Sequence, residues 1–121
     1  MIKNIPYGSI IYLCGKMRGE PCLGYAKFFY WQVVLEKSGY KVINPSAMDV
    51  ERMLTTGYVI DQDDTHAIGL VVLDDLQKVF ESDAVFVIGD NWEESTFAPV
   101  EIAFARGVGK LVVFESEHKG V

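Results

Sequence analysis

Four short apolar runs, at residues 9–14, 40–44, 84–88 and 110–114, set the rhythm of this chain. Each is continuous rather than alternating, the pattern of a strand covered on both faces. Between them lie segments with helical spacing. Phe28, Phe29, Trp31, Val34 and Leu35 give residues 25–38 a helical period, and Gly39 closes the segment. Residues 70–82 carry Leu73, Leu76, Val79 and Phe80 as a second helical face. A further helix opens near Pro99, which suits a first helical position, and stops at Gly107. Strands alternating with helices predict a single small α/β domain over residues 1–121. It is expected to be doubly wound, Rossmann-like or flavodoxin-like, with a parallel sheet of about four to five strands and helices on both faces. The loops after residues 14, 44 and 88 then meet at one edge of the sheet. Residues 46–69 read as helical pieces broken at Gly57 and Gly69, with an acidic patch at Asp61, Asp63 and Asp64.

Charge and composition narrow the function. The net charge is −6 and the basic residues are scattered, which disfavours a surface that tracks the phosphates of a nucleic-acid polymer. No apolar run approaches a membrane span, and the N-terminus lacks the layout of a signal peptide. Cys14 and Cys22 fit neither a metal-ligand spacing nor a disulfide framework. His66 and His118 are far apart, without companion ligands. These features lead to the expectation of a reduced, cytoplasmic protein with no bound metal and no membrane contact.

Three features could carry chemistry at the sheet edge. In the loop Gly15-Lys16-Met17-Arg18-Gly19, backbone N–H groups and a guanidinium make an anion cradle, although an ordinary turn fits the same spacing. Asp74 and Asp75 are adjacent on a helix, so one at most faces the site, while Asp83 is expected to cap or end that helix. The third is the loop 89–98 with Glu101. Ser95 and Thr96 offer hydroxyls at a helix N-terminus, which suits a phosphate, whereas Asp90, Glu93 and Glu94 would repel one. Glu101 lies in the first helical turn, where the helix dipole is expected to keep it ionised. That position suits a nucleophile or base, and equally a glutamate that only satisfies the dipole.

Three blocks of residues go further together. They are Tyr12-Leu13-Cys14-Gly15-Lys16-Met17-Arg18-Gly19; Asp75-Leu76 with Ser82-Asp83-Ala84; and Trp92-Glu93-Glu94-Ser95 with Glu101-Ile102-Ala103 and Gly109-Lys110. In this order and spacing they resemble the nucleoside 2-deoxyribosyltransferase-like superfamily, which includes nucleoside 5'-monophosphate N-glycosidases and short phage-type relatives. Only residues 46–70 lack a counterpart. The resemblance implies Glu101 as the nucleophile at C1' of the sugar, Asp75 as the carboxyl assisting protonation of the base, and Tyr12 as the group orienting Glu101. It implies a substrate-binding set of Gly15, Met17, Arg18, Gly19 and Ser95. Where nucleoside transferases have an aspartate, this chain has Ser95, which removes a charge that would repel a phosphate dianion. The expected activity is hydrolysis of the N-glycosidic bond of (2'-deoxy)nucleoside 5'-monophosphates, with no metal or organic cofactor. Base exchange by a deoxyribosyltransferase, or nucleotide binding without turnover, is the alternative, and a structural protein docking a partner through its acidic loop is a third. The resemblance also implies a homo-oligomer, in the host cytoplasm if the gene is phage-borne.

Overall fold

The computed structural model describes residues 2–57 and 63–117. Four strands pair in parallel: β1 (Ile10–Cys14), β2 (Lys41–Ile43), β3 (Ala84–Val87) and β4 (Leu111–Phe114), in the order β2-β1-β3-β4. Among the described residues four α-helices connect them: α1 (Tyr25–Lys37), α2 (Pro45–Thr56), α3 (Thr65–Glu81) and α4 (Ala98–Gly107). The central strands β1 and β3 read as apolar throughout because both of their faces are covered. Ile11, Leu13 and Phe86 pack with Phe28, Trp31 and Leu35 of α1 on one side. Tyr12, Cys14, Val85 and Val87 pack with Val79 of α3 and Ala98, Ile102 and Ala105 of α4 on the other. This is the Rossmann-like α/β arrangement expected from the alternation of elements.

Strand order makes one position special. The chain leaves β1 toward β2 on one side and leaves β3 toward β4 on the other. The loops after β1 and β3 therefore part at neighbouring strands and open a crevice, the usual place for a ligand in an open α/β sheet.

The helix starts follow local chemistry. Asn44 accepts a hydrogen bond from the Ala47 N–H at 3.0 Å, and Pro45 fills the first turn of α2. The expected break at Gly57 is present: with φ 68° it closes α2 in the left-handed region. The expected break at Gly69 is not. It lies inside α3, which starts at Thr65 because Asp64 accepts from the Ala67 N–H at 3.0 Å. One interior glycine costs about 1 kcal/mol, too little to end a helix that is capped and packed.

The buried stripe of α3 also differs from the expected one. Ile68 and Val79 are buried, whereas Leu73 is 64% and Phe80 54% exposed. Asp83 does not cap a helix either. Its carboxylate accepts from the Ile10 N–H at 2.7 Å and its own N–H donates to the Ile10 carbonyl at 2.7 Å, so it pins the start of β1 to β3. Of the acidic patch, Asp61 lies outside the described residues, as does His118.

Candidate functional site

Period-two alternation along β1 sends Tyr12 and Cys14 to the same face, toward α4. Both reach Glu101, which is only 7% exposed. The Tyr12 hydroxyl donates to Glu101 Oε2 at 3.2 Å, and the Cys14 thiol donates to Oε1 at 3.3 Å. One strand thus holds both oxygens of a carboxylate whose residue is almost ninety positions away in sequence. Burial, then the charge of Glu101, pushes the Tyr12 hydroxyl and the Cys14 thiol well above their ordinary ranges. Both therefore remain protonated donors, and Cys14 is no thiolate nucleophile.

The helix dipole does not decide the charge of Glu101. Burial lifts its carboxyl to about 7, although the hydrogen bonds from Cys14 and Tyr12 pull it down. Asp75 is lifted further, to about 8, by burial first and then by the charges of Glu101, Asp49 and Asp74, with Arg52 opposing. Both carboxyls of the pair are thereby held above the ordinary carboxylate range, each by burial first.

A cavity of about 210 Å³ opens above them at the crevice between the β1 and β3 loops. The loop after β1 contributes Gly15, Lys16, Met17 and Arg18 to its wall, and Ser95 and Glu101 line it from the β3 side. Asp75 lines it from α3, and Asp74 does not. Gly15 lines it at the tip of β1, where a Cβ would meet the Ile88 carbonyl at 3.2 Å and the Phe28 ring at 3.5 Å. Gly19 is outside the lining; its φ of +80° turns the loop back. Tyr12 is likewise absent from the wall and acts beneath it, through Glu101.

The charges around the cavity are unequally matched. Lys16 pairs with Glu94 at 3.4 Å, and Arg18 lies over the Phe97 ring, 5.1 Å from its centroid. Of the carboxylates that threatened to repel an anion, Glu94 lines the cavity, held by Lys16, whereas exposed Asp90 and Glu93 do not line it. The Ser95 hydroxyl accepts from the Phe97 and Ala98 N–H groups at 3.3 and 3.2 Å, closing the open end of α4. Its own proton remains available to an acceptor in the cavity. Glu20 ties the two loops together by accepting from Asn91 at 2.8 Å.

Three polar wall or anchor residues were missed in the sequence. Cys14 was reachable: it stands two residues after Tyr12, and the alternation that aims one aims the other. Asp49 and Arg52, paired at 3.0 Å on α2, lie where the helix boundaries were not read. The Asn44-Pro45 start signal was the available clue. Among the described residues no group of three or more His, Cys, Asp or Glu could hold a metal ion, and His66 is exposed.

Residues 9–114 match a family model described as Domain of unknown function (DUF4406), a span that contains every cavity residue named above. No curated protein matches the chain.

Proposed function

The chain belongs to the DUF4406 family, and from the cavity its matched residues build we propose that it hydrolyses the N-glycosidic bond of (2'-deoxy)nucleoside 5'-monophosphates. The carrying observation is a pair of carboxyls: buried Glu101, held at both oxygens and lifted to about 7, with half-buried Asp75, lifted to about 8, on the same cavity. Heterolysis of this bond leaves positive charge on the sugar and negative charge on the base. One carboxylate and one carboxylic acid answer those two demands.

In this reading Glu101 Oε attacks C1' and forms a glycosyl ester while the C1'–N bond breaks. The electron pair goes to the base, and the proton of Asp75 neutralises it. Water then hydrolyses the ester: its oxygen bonds to C1', its departing proton goes to the Asp75 carboxylate, and Glu101 returns as the carboxylate as the sugar 5-phosphate is released. Tyr12 and Cys14 keep the carboxylate aimed and release it without reorganisation. The phosphate lies with Arg18, the Ser95 hydroxyl and the N-terminus of α4. The reading retains the motif resemblance to nucleoside 2-deoxyribosyltransferase-like proteins as a premise, and it carries self-association with it, measurable by light scattering.

The test is base release from a panel of nucleosides and nucleoside 5'-monophosphates, followed by chromatography across pH. Activity is expected to rise as Glu101 ionises through about 7 and to fall as Asp75 loses its proton through about 8, giving a narrow bell. Glu101→Ala is expected to lower the rate at least ~1,000-fold, the scale seen when a covalent nucleophile is removed. Release that persists in that variant removes Glu101 from the mechanism. Binding without release from any substrate makes the protein a nucleotide binder.

A further inference from the structure

The cavity has a second, apolar side that the phosphate and the reacting carbon leave unexplained. Ile68, Val71, Val72 and Asp75 follow a three- and four-residue spacing on α3, so they share one helix face, and all four line the cavity. The acid thus sits on the same stripe as an apolar wall. Any ring that Asp75 protonates has to lie along that wall, which suits the face of a planar heterocycle. Asp49 and Arg52 of α2 line the same cavity, and both act electrostatically on Asp75.

Arg52 differs from Arg18 in how its charge is met. Its guanidinium donates to Asp49 Oδ1 at 3.0 Å, so the pair is nearly neutral and poorly suited to a phosphate dianion. Arg18 lies over the ring of Phe97, and among the described residues no carboxylate is hydrogen-bonded to it, so although its charge also acts on Asp49 it is the better placed of the two for one. We propose that the Asp49–Arg52 pair reads the edge of the departing base, and that Arg52 selects bases with a keto oxygen at C6 of a purine or C4 of a pyrimidine over those with an amino group at that position. The proposal rests on the N-glycosidase reading and names the substrate class within it.

The selection follows from donor and acceptor inventory. A guanidinium has five N–H donors and no acceptor, and one contact is already committed to Asp49. A keto oxygen accepts from the remaining donors. An amino group in its place leaves donor facing donor at a guanidinium only partly withdrawn from water, its side chain being 35% exposed. Such a mismatch is worth about tenfold in discrimination.

The test compares kcat/KM within one ring size: 2'-deoxyguanosine against 2'-deoxyadenosine 5'-monophosphate, and 2'-deoxyuridine against 2'-deoxycytidine 5'-monophosphate. The wild-type protein is expected to favour the keto member of each pair by about tenfold or more. In Arg52→Gln, whose amide offers an acceptor as well as donors, the ratio is expected to fall to near one, while affinity for ribose 5-phosphate, which has no base, stays unchanged. Arg52→Lys keeps the charge and loses the fork, and is expected to retain only part of the preference. Turnover of all four nucleotides within about twofold, or a ratio that survives Arg52→Gln, overturns the base-edge assignment and leaves the N-glycosidase reading standing. If no nucleotide releases base, that reading falls and takes this one with it.

Discussion

At Glu101 the chemistry of the site and the stability of the fold pull in opposite directions. Burial raises its carboxyl from 4.5 to about 7, so the folded protein holds a proton that the unfolded chain has already released over that interval. Below pH ~4.5 both states are protonated and the penalty is absent; it grows as pH rises and is complete above about 7. Converted at about 1.4 kcal/mol per pH unit, the penalty is on the order of 3 kcal/mol. Replacing Glu101 by the neutral isostere glutamine should therefore stabilise the protein by about 1–3 kcal/mol at pH 8 and by almost nothing at pH 4. Urea titrations of both proteins at the two pH values measure it. A gain of equal size at both values would mean that burial of the charge is not what Glu101 costs. Tyr12 and Cys14 limit the cost without removing it, because each stays a neutral donor to the ionised form.

Elements with a strong period or a clear terminator were readable; those governed by tertiary contact were not. Strands β1 and β3 and helices α1 and α4 stand close to where the apolar runs and Pro99 put them. The start of α3 was misplaced because Gly69 looks like a stop, and nothing in composition outweighs a glycine except a cap and a packed face. The face of α3 was misread in part for a related reason: of the expected Leu73, Leu76, Val79 and Phe80, Val79 is buried but Leu73 and Phe80, equally apolar, are exposed, and only the position of the sheet decides which are covered. Asp83 was recognised as structural but given the wrong job, since its partner Ile10 is far away in sequence. The cavity brings Glu101, Asp75, Arg18 and Ser95 together: Arg18, Ser95 and Glu101 stand at loops or a helix start that carry their own signals, whereas Asp75 lies in the middle of α3 and was singled out only by the motif resemblance. Asp49 and Arg52 were not legible, because α2 itself was not. Gly69 supplies a direct check on this account. A Cβ there meets nothing within 4 Å, so Gly69→Ala should stabilise the protein by about 0.5–1 kcal/mol through helix propensity alone. Thermal unfolding of the variant measures it, and destabilisation would show that the glycine is needed for close packing or bending.

Across the whole molecule, the cavity joins parts of the chain that are distant in sequence: the loop after β1, the face of α2, the stripe of α3 and the start of α4. A ligand spanning them is bound only by the folded chain, so its binding free energy adds to global stability. At about 100 times its dissociation constant a ligand adds ~2.7 kcal/mol, or on the order of 10 °C in Tm for a domain of this size. With turnover blocked by Glu101→Gln, 2'-deoxyguanosine 5'-monophosphate should raise the Tm in a concentration-dependent way, and Arg18→Ala in the same background should reduce the shift. A Tm indifferent to the nucleotide would place the ligand elsewhere.

Gly15 stands where this assembly has least room, between the carbonyl of Ile88 and the ring of Phe28. It marks the one level at which the tips of β1 and β3 come close enough for a single missing methyl group to matter. Along β1 the alternation puts residue 15 on the face of Leu13 and Phe28, opposite the face that holds Glu101. An alanine there would press on the Ile88 carbonyl and the Phe28 ring, so the loops that begin at the two strand tips would have to shift against each other. The seating of the two cavity walls thus depends on a residue with no functional group, acting through the side chain it lacks.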